Sequence, residues 1–237
     1  MGSEPPFHAF HPYREGDTLL VSIRSFLARP AGALALLAAL LLGTAPLPVA
    51  GPRLAQAAPE TYEIDVSHSH VGFQIRHLIG RVSGQFNKFA GIIVHDEANP
   101  AASSVEVTID PASIDTNDAK RDGHLQSPDF FDVAKHPEMR FKSRAVKVDG
   151  QKLMVEGDLT MHGVTKPVML AGEIAGSMLG PGGSKRTGFT ATTTINRKDF
   201  AIEWNKTFDQ GGTLLGDDVT VSIAIEAVQK TADTAAK

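Results

Sequence analysis

Cysteine is absent from this sequence, and its absence excludes disulfide bonds, thiol catalysis and thiolate metal ligands. A lipid anchor attached to a cysteine behind a signal sequence is excluded for the same reason. The folded protein must therefore be stabilised by packing alone.

The sequence also lacks an excess of positive charge. Its formal net charge is −4 at pH 7, whereas nucleic acids and anionic membrane surfaces attract proteins that carry a basic patch. We therefore expect neither of them as a partner. The content of 42% hydrophobic and 21% charged residues is ordinary for a soluble globular protein of one domain or two small domains.

The apolar run at residues 31–42 is too short to cross a membrane as a helix, because its twelve residues compare with the roughly 20 that a spanning helix needs. Arg24 and Arg29 precede this run, and small residues lead up to Ala58, a pattern typical of a signal peptide. We therefore predict a signal peptide and leader over residues 1–57 and an exported domain over residues 58–237, periplasmic or secreted. An uncleaved membrane anchor is the alternative, and a misassigned start codon would account for the long stretch before the apolar run.

From Tyr62 onward, short segments of alternating apolar and polar residues are separated by Gly, Pro, Asn and Asp. This pattern is typical of an all-β sandwich or barrel in which one sheet face is apolar. About eight such strands can close into an antiparallel barrel with a filled interior or with room for one small ligand. The predicted inward positions are Val71, Phe73, Ile75, Val105, Val107, Ile109, Met139, Phe141, Leu153, Val155, Leu159, Met161, Val168, Leu170, Ile174, Phe189, Ala191, Ile195, Val219, Val221, Ile223 and Ile225.

Four small residues, Gly84, Gly157, Gly172 and Ala191, fall on the inward side of these strands. They contribute little volume to the interior, which favours a cavity. Glycines at such positions also mark β-bulges and barrel corners. Both interpretations remain open at this stage.

Residues 121–141 interrupt the alternation with charged residues, histidines and phenylalanines. We predict a helix over residues 117–126, with Thr116 as its N-cap and a turn at residues 127–129 as its end. Phe130 and Phe131 are adjacent and therefore point in different directions. We expect this helix to pack near the mouth of the barrel and to act as a lid.

No motif in the sequence predicts an enzyme, a metal site or a cofactor. The H-E-x-x-H and G-x-S-x-G motifs are missing, and zinc needs three or four ligands that the sequence does not space in a known pattern. His68 is better explained as a structural partner of Asp65 or Ser69. A histidine-dependent hydrolase or metal-dependent enzyme, with Asp122 and His124 as an acid–base pair, stays open as an alternative.

Motifs distributed over the chain from about residue 62 to 228 resemble the YceI-like family. They include residues 62–65 (YEID), 71–73 (VGF), 113–116 (SIDT), 129–131 (DFF), 159–168 (LTMHGVTKPV) and 216–219 (GDDV). One departure is Ala201, where the family commonly has glycine. The resemblance implies an exported, lipocalin-like antiparallel barrel around a long apolar tunnel, associated with polyisoprenoid and related lipids.

We therefore expect a carrier or binding protein for a long-chain amphiphilic lipid, such as a polyprenyl phosphate or an isoprenoid quinone. Arg121 and Asp122 either tie the helix to the barrel rim or, for Arg121 or His124, hold the polar head of the ligand. A filled barrel that acts through its surface, and a homodimer, are also compatible with the sequence. The predicted ligand-binding residues are Phe73, Phe86, Arg121, Asp122, His124, Leu125, Phe130, Phe131, Phe141, Phe189, Phe200 and Trp204.

Overall fold

The computed structural model describes residues 58–209 and 211–230. The predicted signal peptide and leader lie outside these residues. Within the described part of the chain, no helix is long and apolar enough to cross a membrane.

Eleven strands and one α-helix account for most of the described chain. The strands are β1 (Glu60–Ile64), β2 (His70–His77), β3 (Gly80–Phe86), β4 (Phe89–His95), β5 (Ser104–Ile109), β6 (Ile114–Asp115), β7 (Met139–Asp149), β8 (Lys152–Met161), β9 (Val164–Leu179), β10 (Lys185–Asn196) and β11 (Leu215–Gln229). The helix α1 is Ala119–Gln126 and connects β6 to β7.

Eight of the strands close into an antiparallel barrel in the order β1, β4, β5, β7, β8, β9, β10 and β11, because β11 also pairs with β1. The long strand β11 makes closure possible. Its residues from Leu215 to Ala224 pair with β2, and its last residues pair with β1. Strands β2, β3 and β6 therefore form a branch beside the barrel. The predicted antiparallel barrel of about eight strands with one helix is confirmed.

The inward face of the barrel follows the alternation in the sequence. Every one of the twenty-two predicted inward positions lines the central cavity. Successive side chains of a strand point to opposite faces of the sheet, so the apolar residues face inward while their polar neighbours face outward.

Helix α1 begins two residues later than predicted. Asp118, not Thr116, is the N-cap, and its side chain accepts hydrogen bonds from the backbone N–H groups of Lys120 and Arg121. Asn117 has a φ of 60°, which a right-handed helix cannot contain. The predicted end is confirmed, since Ser127 forms the C-cap.

The inward glycines provide close approach between strands and side chains rather than empty volume. A Cβ atom on Gly84 would collide with the ring of Phe73, and one on Gly172 would collide with the carbonyl oxygen of Thr190. A change of register between Ser143 and Ala145, opposite Gly157, also supports the β-bulge interpretation. Of the four small residues, Ala191 lines the cavity.

Candidate ligand cavity

A cavity of about 380 Å³ lies inside the barrel, within the range of about 300–1,000 Å³ that is typical of small-molecule sites. Its lining includes Met139 at the start of β7 and Val148 near the end of that strand. These positions are nine residues apart, which corresponds to about 30 Å along a strand. The cavity is therefore elongated and extends along the barrel.

Aliphatic and aromatic side chains form most of the lining, and polar groups are concentrated near its ends. His95, Ser103 and Ser104 lie where β4 ends and β5 begins. At the opposite end, beside α1, the lining includes Thr116, Arg121, His124 and Arg197. A long apolar lining with polar groups near its ends suits an amphiphilic molecule, in which an apolar chain carries a polar head.

Arg121 and Asp122 both form hydrogen bonds with Thr116, which lies between β6 and α1. Arg121 Nε donates to Thr116 Oγ1 (2.7 Å), and Arg121 Nη2 donates to the Thr116 carbonyl oxygen (2.7 Å). Asp122 Oδ1 accepts from the Thr116 backbone N–H (2.9 Å) and from its hydroxyl (2.5 Å). These bonds tie α1 to the end of β6, the structural role considered from the sequence.

Arg121 also lines the cavity, and 39% of its side chain is exposed. Its Nη1 atom lies 4.0 Å from an Asp118 carboxylate oxygen, too far for a hydrogen bond. Arg121 is therefore held in place by Nε and Nη2 while Nη1 is available to a ligand.

His124 belongs to a cluster of aromatic rings at the same end of the cavity. Its ring meets the rings of Phe130 and Trp204 edge to face, with centroid distances of 5.1 and 4.9 Å. His124 Nε2 lies 2.9 Å from Asp129 Oδ2. The proposed Asp122–His124 acid–base pair is therefore wrong, since Asp122 bonds Thr116 and His124 bonds Asp129.

A buried arginine, Arg197, fixes the loop that carries Trp204. Arg197 is 3% exposed, and its Nη1 donates to the carbonyl oxygens of Ile202 and Trp204, each at 2.8 Å. Its Nε and Nη2 donate to the Gly216 carbonyl (3.0 Å) and to Asp217 Oδ1 (3.1 Å) of β11. These contacts stabilise the loop against the barrel.

The pKa of Asp217 lies below its ordinary value because Lys198 donates to Asp217 and Arg197 lies close by.

Ala201 ends the short helical turn before Trp204 with a φ of 57°. This conformation favours glycine, so alanine adopts it here at some cost in backbone strain.

Ten of the twelve predicted ligand-binding residues line the cavity, and two do not. Asp122 is turned toward Thr116, and Phe200 is buried beneath the loop, with its carbonyl oxygen accepting from His162 (3.0 Å). Ligand contact by any of the twelve residues stays a prediction. The ten are Phe73, Phe86, Arg121, His124, Leu125, Phe130, Phe131, Phe141, Phe189 and Trp204.

Several lining residues were not among the predicted ligand-binding set. Met139, Met161 and Ile195 were predicted to face inward, but the set favoured aromatic residues over aliphatic ones. Arg197 and Ile202 also line the cavity. The alternating pattern did not single them out, because neither lies on an alternating strand.

The histidines fall into separate environments. His68 Nδ1 lies 2.9 Å from Asp65 Oδ2, as predicted, in a short helical turn. His136 and His162, 26 residues apart, have ring centroids only 5.0 Å apart. No sequence pattern had connected these two residues.

Comparisons with known proteins agree with the fold. The model of the YceI-like domain matches residues 62–227. Protein YceI of Escherichia coli O157:H7 is 45% identical over 177 residues, which cover 73% of this chain and 90% of that protein.

Solved structures that resemble the barrel include the following two. Burkholderia cenocepacia BcnA has a TM-score of 0.61 and 25% identity, covering 69% of this chain and 98% of that chain. A polyisoprenoid binding domain from Saccharophagus degradans, implicated in plant cell wall breakdown, has a TM-score of 0.52 and 15% identity. It covers 71% of this chain and 98% of its own, and at this identity the likeness concerns the fold alone.

Proposed function

Since this chain belongs to the YceI-like family, we propose that it binds one long-chain amphiphilic lipid inside the barrel and acts as a carrier or binding protein. The ligand class we propose is a polyisoprenoid, either a polyprenyl phosphate or an isoprenoid quinone. The observation that carries this proposal is the elongated apolar lining with polar groups beside α1. The polyisoprenoid binding domain of Saccharophagus degradans, which has the same fold, is compatible with this ligand class.

Apolar burial alone supplies enough free energy for such a complex. Burying ten methylene-sized groups contributes up to about 8 kcal/mol before the costs of ordering the ligand. This value is comparable to the binding free energy of a complex with micromolar affinity. A dedicated polar anchor is therefore not required for binding, and polar groups would mainly orient the chain.

The polar head would lie beside α1. Arg121 Nη1 is available there, and a guanidinium pairs well with phosphate. His124 and Trp204 supply further polar and aromatic contacts. The apolar tail would then run toward the turn between β7 and β8.

We also propose that the domain acts in the periplasm. The support is the apolar run at residues 31–42 with its preceding arginines and following small residues. Expression of the full chain in a Gram-negative bacterium, followed by fractionation and mass measurement, tests this. A mature protein beginning near Ala58 in the periplasmic fraction is expected, and full-length protein in the cytoplasm would contradict export.

Native mass spectrometry of the exported protein, followed by organic extraction, tests the ligand. We expect one lipid per chain and its identification as an isoprenoid. A bare protein that also fails to take up added polyprenyl phosphate and quinone would contradict lipid binding and favour a filled barrel or an enzyme.

Two adjacent substitutions distinguish the cavity from the outer surface. Ala191→Leu adds three carbon atoms on the inward face of β10, whereas Thr192→Leu changes the exposed neighbour. We expect Ala191→Leu to reduce the bound lipid several-fold and Thr192→Leu to leave it unchanged. Equal retention by both folded variants would place the lipid outside the barrel.

A further inference from the structure

Three potential metal ligands lie together beside the barrel end that α1 covers. One ligand atom from each of Asp132, His136 and His162 lies within 4.8 Å of the other two. Asp132 is 5% exposed, and both histidines are partly buried. None of these residues belongs to the lining of the lipid cavity.

Local backbone structure brings Asp132 and His136 together. Asp132 follows Phe131, and its backbone N–H donates to the Ser127 carbonyl oxygen (3.0 Å). The Asp132 carbonyl oxygen accepts from the His136 N–H (2.9 Å), which closes a single helical turn. Both side chains therefore belong to one segment, residues 127–136, which we call the cap segment.

His162 comes from the barrel itself, at the two-residue turn between β8 and β9. His162 and Gly163 have φ values of 51° and 75°, the conformation of a type I′ turn, for which Asn-Gly is the preferred sequence. Gly163 lies close to His136, because a Cβ atom there would lie 2.8 Å from His136 Cε1.

A neighbouring carbonyl group determines the tautomer of His162. His162 Nδ1 lies 3.0 Å from the Phe200 carbonyl oxygen, which can only accept a hydrogen bond, so Nδ1 carries the proton. The lone pair is then on Nε2. A metal-binding histidine commonly donates its other ring N–H to a carbonyl in this way, which orients the ring.

We propose that Asp132, His136 and His162 bind a divalent transition-metal ion of the zinc class. Two imidazoles and one carboxylate, with an open position for water, match three-ligand zinc sites. Tetrahedral ligands at zinc lie about 3.3 Å apart, as follows from bond lengths of about 2.0–2.1 Å. Side-chain rotations would bring the three ligand atoms, which now lie within 4.8 Å of one another, to that separation.

Lys135 competes weakly with a metal for Asp132. Its Nζ lies 2.8 Å from Asp132 Oδ2, but 72% of the Lys135 side chain is exposed. An ion pair with so exposed a partner contributes little free energy, so a dication displaces or rearranges it.

A second cluster, Asp65, His68 and Glu226, is much less suited to a metal. Arg186 Nη1 already donates to Asp65 Oδ2 (3.0 Å) and to Glu226. A guanidinium within the cluster already occupies both carboxylates and repels a dication. This cluster serves as an internal comparison.

The metal would join the cap segment to the turn between β8 and β9. Phe130 and Phe131, immediately before Asp132, line the lipid cavity, so the ion would hold this aromatic cover against the barrel. The site itself does not depend on lipid binding. An effect of the ion on the release of lipid from the cavity is the one part that rests on the proposed function.

Isothermal titration of the untagged, chelator-treated protein with Zn²⁺ tests the site. We expect one ion per chain, and at least about tenfold weaker binding in His162→Asn and in Asp132→Asn. Asparagine suits the left-handed backbone at both positions, so both variants should fold. His70→Asn, at an exposed histidine outside both clusters, is expected to bind Zn²⁺ as the unchanged protein does.

Hydrogen exchange of the same proteins tests the joining of the two elements. Zn²⁺ should slow amide exchange in residues 127–136 several-fold in the unchanged protein but not in His162→Asn. Absence of Zn²⁺ binding, or binding by folded His162→Asn and Asp132→Asn as tight as that of the unchanged protein, would overturn the site. Zn²⁺ binding that leaves exchange in the cap segment unchanged would overturn its role there. Lipid retention is measured separately, so failure of either proposal is distinguishable.

Discussion

The Phe141 ring lies directly against Gly157 of the neighbouring strand. A Cβ atom at Gly157 would lie 2.5 Å from Phe141 Cζ and 2.5 Å from the Lys142 carbonyl oxygen. Phe141 is buried and lines the cavity. Glycine therefore allows a large ring to form part of the wall without displacing the backbone of β7.

Gly157→Ala should destabilise the protein by about 1–3 kcal/mol, because the added methyl group overpacks this contact. Urea unfolding measures the change. Gly123→Ala is the matched control, since Gly123 is exposed in α1 and a Cβ atom there meets nothing within 4 Å. The control should be stabilised by about 0.5–1 kcal/mol. Unchanged stability of Gly157→Ala would contradict the contact.

Arg121→Gln should weaken binding of a polyprenyl phosphate by about tenfold, equivalent to about 1.4 kcal/mol, because a charge-assisted hydrogen bond is lost. Binding of a quinone with the same tail should change little. Trp204 is the only tryptophan and lines the cavity, so its fluorescence reports both titrations.

The neighbouring exposed residue provides a control for Arg121→Gln. Lys120→Gln removes one positive charge from the same helix and should leave both affinities unchanged. An equal loss for phosphate and quinone in Arg121→Gln would show that Arg121 holds the helix in place rather than the ligand head.

Asp65 should make the protein sensitive to acid. Hydrogen bonds from Ser67, His68 and Arg186 hold the pKa of Asp65 far below its ordinary value. The unfolded-state pKa is about 3.9, so this stabilisation is present above about pH 5. It declines as the pH falls below the unfolded value and is lost as the pH falls through the folded-state pKa.

Asp65→Asn should cost about 1–2 kcal/mol at neutral pH and should reduce the loss of stability on acidification. Urea unfolding between pH 7 and about pH 3 measures both effects. The exposed control Glu203→Gln should change the free energy of unfolding by less than about 0.5 kcal/mol. An unaltered pH profile in Asp65→Asn would contradict the assignment.

Arg197→Lys should cost about 3 kcal/mol, because lysine cannot reproduce the forked hydrogen bonds of a buried guanidinium. Urea unfolding followed by Trp204 fluorescence measures the loss, and the emission of the folded state should also shift as the loop loosens. Arg81→Lys, at an exposed position, should have almost no effect. Similar stability of the two variants would mean that the loop does not depend on Arg197.

The inward face of the barrel was predictable from local sequence, whereas the start of α1 was not. All twenty-two alternating positions line the cavity, because the strand period of two does not depend on which strands pair. The start of α1 depends on the left-handed backbone at Asn117 and on the contact between Thr116 and Asp122. Propensity alone does not include these interactions.

The sequence by itself determined the fold class, the absence of cysteine chemistry and the apolar face of each strand, since composition and local periodicity decide them. Only the tertiary structure decided which polar groups meet. It separated Asp122 from His124, and it brought His162 to His136 and Asp132. The contact of His162 with His136 and Asp132 joins residues far apart in the chain, so it depends on barrel closure and strand register rather than on any local pattern.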